Sequence, residues 1–92
     1  MTPRVDVVCS PIPGGWMCEV DVADAGSATH HWVTVAAADA ARLDPGAPDP
    51  TDLVERSFAF LLEREPKESI LRAFDLTVTG RYFPDWEERI GR

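Results

Sequence analysis

Long apolar runs are missing from this sequence. No stretch of its 92 residues approaches the roughly 20 needed to span a bilayer. The first residues, Met1-Thr2-Pro3-Arg4-Val5-Asp6, carry neither the basic nor the apolar block of a secretory signal. The expectation is a soluble, cytoplasmic protein without a membrane partner. Positive charge is also scarce. Nine Lys and Arg stand against sixteen Asp and Glu, a net charge of −7, the wrong sign for affinity built on phosphate neutralisation. Nucleic acid is therefore an unfavoured partner. Cysteine is limited to Cys9 and Cys18. In a reducing compartment such a pair stays as free thiols, so a disulfide scaffold is not expected. The length itself leaves no room for two ordinary cores. One domain over residues 1–92 is expected, and 45% apolar residues with three Trp, four Phe and one Tyr suffice to fill it.

What is present changes character near residue 50. Before it lie Val, Thr and turn residues, with two basic against seven acidic side chains; after it lie Leu, Phe, Glu and Arg, with seven basic against nine acidic. Strands followed by helices define an α+β domain. The organisation expected is a three-stranded antiparallel sheet over residues 1–35, an Ala/Pro-rich connector over 36–50 and a helical part over 51–92. No internal repeat is visible.

Three segments alternate with the period of a strand that buries one face. Val5, Val7 and Cys9 form the first apolar row, ending at the turn residues Ser10-Pro11-Ile12-Pro13-Gly14-Gly15. Trp16, Cys18, Val20 and Val22 form the second, and His31, Val33 and Val35 the third, across the turn Asp24-Ala25-Gly26-Ser27. Parity then selects the register, because a slip by one residue would set valines beside acids. A turn centred on Pro13-Gly14 places Cys9 opposite Cys18, Val7 opposite Val20 and Val5 opposite Val22. The second turn places Cys18 opposite Val33 and Val20 opposite His31. Glu19 opposite Trp32 and Asp21 opposite His30 fall on the other, half-polar face.

The connector allows a turn or two of helix from Ala36 to Leu43 before Pro45, Gly46, Pro48 and Pro50 interrupt it. A long helix follows. Asp49 suits its N-cap, Pro50 its first position and Asp52 the positive end of its dipole, while Pro66 stops it, so it should run from about 50 to 64. Val54, Phe58, Leu61 and Leu62 share one side, and Leu53 and Phe60 widen the apolar arc beyond one contact. The neighbours expected are the sheet and a further helical segment, Pro66 to Phe74. Residues 76–83 suit either strand or helix, and helix is preferred. One or two short helices thus complete the fold.

The run Leu53-Val54-Glu55-Arg56-Ser57-Phe58-Ala59-Phe60-Leu61-Leu62-Glu63-Arg64-Glu65-Pro66-Lys67-Glu68-Ser69-Ile70-Leu71, followed by Arg72-Ala73-Phe74-Asp75-Leu76 and Tyr82-Phe83-Pro84, resembles a group of small uncharacterised bacterial proteins. The resemblance implies a bacterial origin. It implies no activity, cofactor or catalytic residue. At the position of Thr79 it leads one to expect an apolar residue.

Several arrangements hint at chemistry and have plainer readings. Cys9, Cys18 and His31 share a face, but they lack the close cysteine spacing of a zinc knuckle; small thiols beneath a helix are ordinary core, with redox pairing of the two cysteines as the alternative. No metal or other cofactor is assigned. His30 and His31 with nearby carboxylates would make the enzymatic alternative, yet no nucleophile is placed beside them, and no catalytic residue is assigned. Gly14, Gly15 and Gly26 precede strands and form no phosphate cradle. Residues 66–83 could form a helix-turn-helix, but acids surround Lys67, Arg72 and Arg81 where a basic recognition helix is required. The remaining candidate is a set of aromatic and soft side chains, Met17, Trp32, Tyr82, Phe83 and Trp86. If the aromatic tail folds over the outer sheet face, these form a second small core; otherwise they mark a partner or dimer interface. The function expected is a noncatalytic accessory or regulatory module that binds another protein or itself.

Overall fold

The computed structural model describes residues 2–91. Three antiparallel strands, β1 (Arg4–Ile12), β2 (Gly15–Asp24) and β3 (Ser27–Ala36), lead directly into helix α1 (Ala37–Leu43). Helix α2 (Thr51–Leu62) follows, then a 3-10 turn at Lys67–Ser69, a short strand β4 (Ala73–Asp75), and two short helices, α3 (Val78–Tyr82) and α4 (Trp86–Ile90). The domain is α+β.

Both hairpin registers are those the parity of the sequence selects. Cys9 pairs with Cys18, Val7 with Val20 and Val5 with Val22; Cys18 pairs with Val33 and Val20 with His31. Each turn has two loop residues, and the second of each, Gly14 and Gly26, has φ of 81° and 93°, a left-handed conformation that costs glycine little. β1 runs three residues further than the turn signals suggested, through Ser10 and Pro11 to Ile12. Proline is tolerated there because β1 is an edge strand with no neighbour awaiting its missing N–H.

The sheet has four strands, not three. β4 adds beside β3 in parallel, pairing Trp32 with Ala73, Val33 with Phe74 and Thr34 with Asp75. Backbone hydrogen bonds from Trp32 N to Arg72 O, 2.7 Å, and from Leu76 N to Thr34 O, 2.9 Å, fix it. The helix expected over residues 66–74 is therefore replaced by a 3-10 turn and a strand. Two buried polar anchors hold that stretch extended. The Lys67 ammonium, buried, donates to Asp24 Oδ1 at 2.7 Å and Glu68 Oε2 at 2.6 Å, and His31 Nδ1 donates to the Leu71 carbonyl at 2.8 Å. Residues 76–83 contain a helical turn, α3, as preferred from the sequence.

Cys18, Val20, Val22, Val33 and Val35 are buried on one sheet face beneath Leu53, Val54, Phe58 and Leu61 of α2. Val5, Val7 and Trp16 pack at the margin of this core. α2 starts one residue later and ends two residues earlier than its signals suggest, with Pro50 rather than Asp49 in the cap position, and Asp49 Oδ1 accepts the Thr51 backbone N–H at 2.9 Å. Hydrogen bonding from the Thr51 side chain, with the Thr51 backbone N–H in support, holds the Asp49 carboxyl below its ordinary range. Residues 66–74 neighbour α2 as expected, with the Phe74 ring 6.2 Å from that of Phe58, and α4 is a further neighbour. Trp86, fully buried, donates from Nε1 to Ser57 Oγ at 3.1 Å, and that hydroxyl donates to the Leu53 carbonyl at 2.9 Å. The Arg56 guanidinium joins three parts of the chain, pairing with Asp44 at the end of α1 at 2.9 Å and with Asp52 on α2 at 2.9 Å, and donating to the Ile90 carbonyl.

Cys9 and Cys18 are joined in a disulfide, which corrects the expectation of free thiols. The reason is the register itself, since residues directly opposed on antiparallel strands have adjacent Cβ atoms. Closing a loop with a sequence separation of nine removes unfolded-chain entropy worth about 2 to 3 kcal/mol. Reduction, or the double substitution Cys9→Ala/Cys18→Ala, is expected to leave the fold intact and lower unfolding free energy by about that amount. Urea unfolding with and without reductant measures it; coincident midpoints would refute the contribution.

Candidate functional site

Alternation sends every second residue of β1 to β3 onto the sheet face that α2 leaves uncovered. One row across that face is Val8, Glu19 and Trp32, and the next is Asp6, Asp21 and His30. Val8 is 65% and Trp32 43% exposed. Met17, half-buried, lies beside them between Ser10 and Thr34. This is an apolar strip with carboxylates along it.

His30 orients the strip. Its ring meets Trp32 edge-on, with centroids 4.4 Å apart. Nδ1 hydrogen-bonds Asp21 Oδ1, and Nε2 lies 3.3 Å from Glu19 Oε1. The Asp21 hydrogen bond, with Glu19 in support, raises the His30 pKa above its ordinary 6.5. A raised folded-state pKa means that the pairing contributes fully below the unfolded value near 6.5 and is lost as pH rises through the higher folded value. An NMR titration of the His30 ring is expected to give a midpoint above 6.5, and Asp21→Asn should lower it. A wild-type midpoint at or below the ordinary value would refute the pairing.

His31 has a different role from its neighbour. It points to the core, buried, with Nδ1 on the Leu71 carbonyl and Nε2 sharing a 2.8 Å hydrogen bond with Thr29 Oγ1. Both ring nitrogens are committed, Nδ1 to the segment before β4 and Nε2 to Thr29 on the same strand. The two histidines therefore lie on opposite sheet faces, as alternation requires, and do not converge on one reacting atom. With the cysteines bonded to each other, the shared face of Cys9, Cys18 and His31 offers no thiolate ligand. Among the described residues no group of three or more His, Cys, Asp or Glu is arranged to hold a metal ion.

The structure divides the five residues singled out from the sequence. Met17 and Trp32 lie together on the outer face. The C-terminal aromatics instead pack with α2 on the other side of the sheet. Trp86 is fully buried and is a core residue, so it cannot belong to a contact surface. Phe83, half-buried, meets Phe60 edge-on with centroids 5.8 Å apart. Tyr82 is 67% exposed and stands at the rim of a separate cleft between α2 and α3. The tail does not cover the outer face. Val8 was missed, although it breaks the alternation of β1 by placing a valine at a polar position.

Among the described residues no helix is long and apolar enough to cross a membrane. No known family, curated protein or solved structure matches the chain.

Proposed function

We propose that this chain is a small noncatalytic accessory or regulatory module, bacterial and cytoplasmic, that acts by binding another protein or a second copy of itself through the outer sheet face. The observation that supports this reading is the pairing of Val8 and Trp32 across Glu19 on a face with no helix over it. An exposed Trp and an exposed Val on either side of Glu19, with Met17 diagonal to both, combine apolar anchors with carboxylates as interfaces do. Histidine pairing with Asp21 and Glu19 holds the Trp32 ring edge, so less side-chain freedom is lost on docking. A cytoplasmic location would keep the Cys9–Cys18 pair largely reduced; the backbone pairing of β1 with β2 extends along both strands on either side of that bond.

The test is Val8→Asp/Trp32→Ser, two exposed positions whose exchange leaves the core untouched. Light scattering across a concentration series and quantitative affinity capture are compared with wild type. Loss in the variant of a dimer, or of a specific captured protein, supports the reading. A wild-type chain that stays monomeric and captures the same proteins as the variant overturns it.

A further inference from the structure

A cleft of about 220 Å³ opens between the end of α2, the turn at Lys67–Ser69 and α3. Its floor is apolar. Leu61 and Ile70 are buried there, and Phe74 and Phe83 are half-buried. Leu71 and Tyr82, 47% and 67% exposed, stand at its rim. Clefts of this kind, mostly apolar with a few polar groups, are where small ligands seat.

Two of the more enclosed polar side chains in the lining, Thr79 and Glu65, have no counterpart among the described residues. Thr79 is 3% exposed, and its hydroxyl is buried without a hydrogen-bond partner. A buried hydroxyl left unpaired is a standing cost, and natural structures keep few of them. Glu65, half-buried, lines the same cleft, and no ion pair forms to its carboxylate among the described residues. The cations beside it in sequence are engaged elsewhere. Arg64 sits over the Phe60 ring, donates to the Phe60 carbonyl and approaches Asp85; Lys67 is held by Asp24 and Glu68. Burial of Glu65 without a counter-charge raises its carboxyl pKa above the ordinary range.

We propose that this cleft binds a small primary amine with an apolar body, the ammonium pairing with Glu65 and donating to the Thr79 hydroxyl while the body rests on Ile70, Phe74 and Phe83. The space sets the size. An apolar cavity of about 150 Å³ holds benzene, so this one accommodates a ring with a short amine tail, on the order of ten non-hydrogen atoms. Charge selects the head group, because an acidic chain attracts cations and a partly desolvated carboxylate gains most from one. The site is separate from the outer sheet face and does not depend on its having a partner.

Amide NMR titrations of the whole chain test this with three probes of similar shape: phenethylamine, neutral 2-phenylethanol and anionic 3-phenylpropionate. Phenethylamine is expected to give saturable shifts concentrated in residues 65–83. The alcohol should bind at least about fivefold more weakly, and the acid weaker still. Glu65→Gln, which preserves shape, should abolish the preference for amine over alcohol. Thr79→Val should weaken the amine while raising the thermal midpoint, since it removes an unpaired hydroxyl from a buried site. Absence of saturable shifts with phenethylamine overturns the proposal. So does equal binding of amine and acid, or unchanged amine affinity in a folded Glu65→Gln or Thr79→Val protein.

Discussion

Phe58→Asp is expected to leave the chain without a cooperative unfolding transition. Phe58 is fully buried at the centre of α2, with His31 and Phe74 rings at centroid distances of 5.4 and 6.2 Å. Removing the ring alone costs about 3 to 5 kcal/mol in lost burial and cavity. A carboxylate placed there loses its hydration in an apolar core, and burying it or protonating it adds several kcal/mol more. A domain of this size holds only about 0.05 to 0.15 kcal/mol per residue in total, so the combined cost consumes most or all of it. Circular dichroism on heating and the dispersion of the amide spectrum check this. A cooperative transition near the wild-type midpoint would mean that α2 does not roof the sheet.

The second large effect is expected at Trp86, and contrast with Trp32 makes it informative. Trp86→Ala should lower unfolding free energy by about 3 to 5 kcal/mol, the usual result of emptying a large buried aromatic site. The ring fills the space between α2 and α4, and Gly80 lies so close that an added Cβ would come within 3.2 Å of it. Trp86→Phe retains much of the packing but removes the N–H that reaches Ser57 Oγ, costing about 1 to 2 kcal/mol. Trp32→Ala, at an exposed outer position, should cost about 1 kcal/mol or less. Urea unfolding of the three variants separates these values. Equal losses at positions 32 and 86 would contradict the placement of Trp86 in the core.

Strand alternation, the two glycine turns and the caps of α2 are local signals, and each acts over a few residues. Val5, Val7, Val20, Val22, Val33 and Val35 can share one buried face in only one parity of register, so both hairpins were legible before any coordinates. The stop of α2 before Pro66 was legible for the same kind of reason: backbone chemistry at one residue forbids continuation. The outer placement of Met17 and Trp32 followed from the same alternation.

Tertiary structure decided what local signals leave open. Ala73-Phe74-Asp75 is too short to show a period, and it becomes a strand because the free edge of β3 offers hydrogen bonds and because Lys67 and His31 tie the preceding turn to the sheet. Trp86 could have covered the outer face or the flank of α2; the Ser57 hydroxyl and the space beside Gly80 place it on the flank. The disulfide lay within reach of the sequence, since the register already sets Cys9 opposite Cys18; the assumption of a reducing compartment argued against the bond. The Glu65 and Thr79 cleft is assembled from separate elements, so no single segment announces it. Sequence alone fixed the pairings in which each residue answers to its neighbours in the chain; contacts between distant segments, set by the total fit of the core, decided the rest.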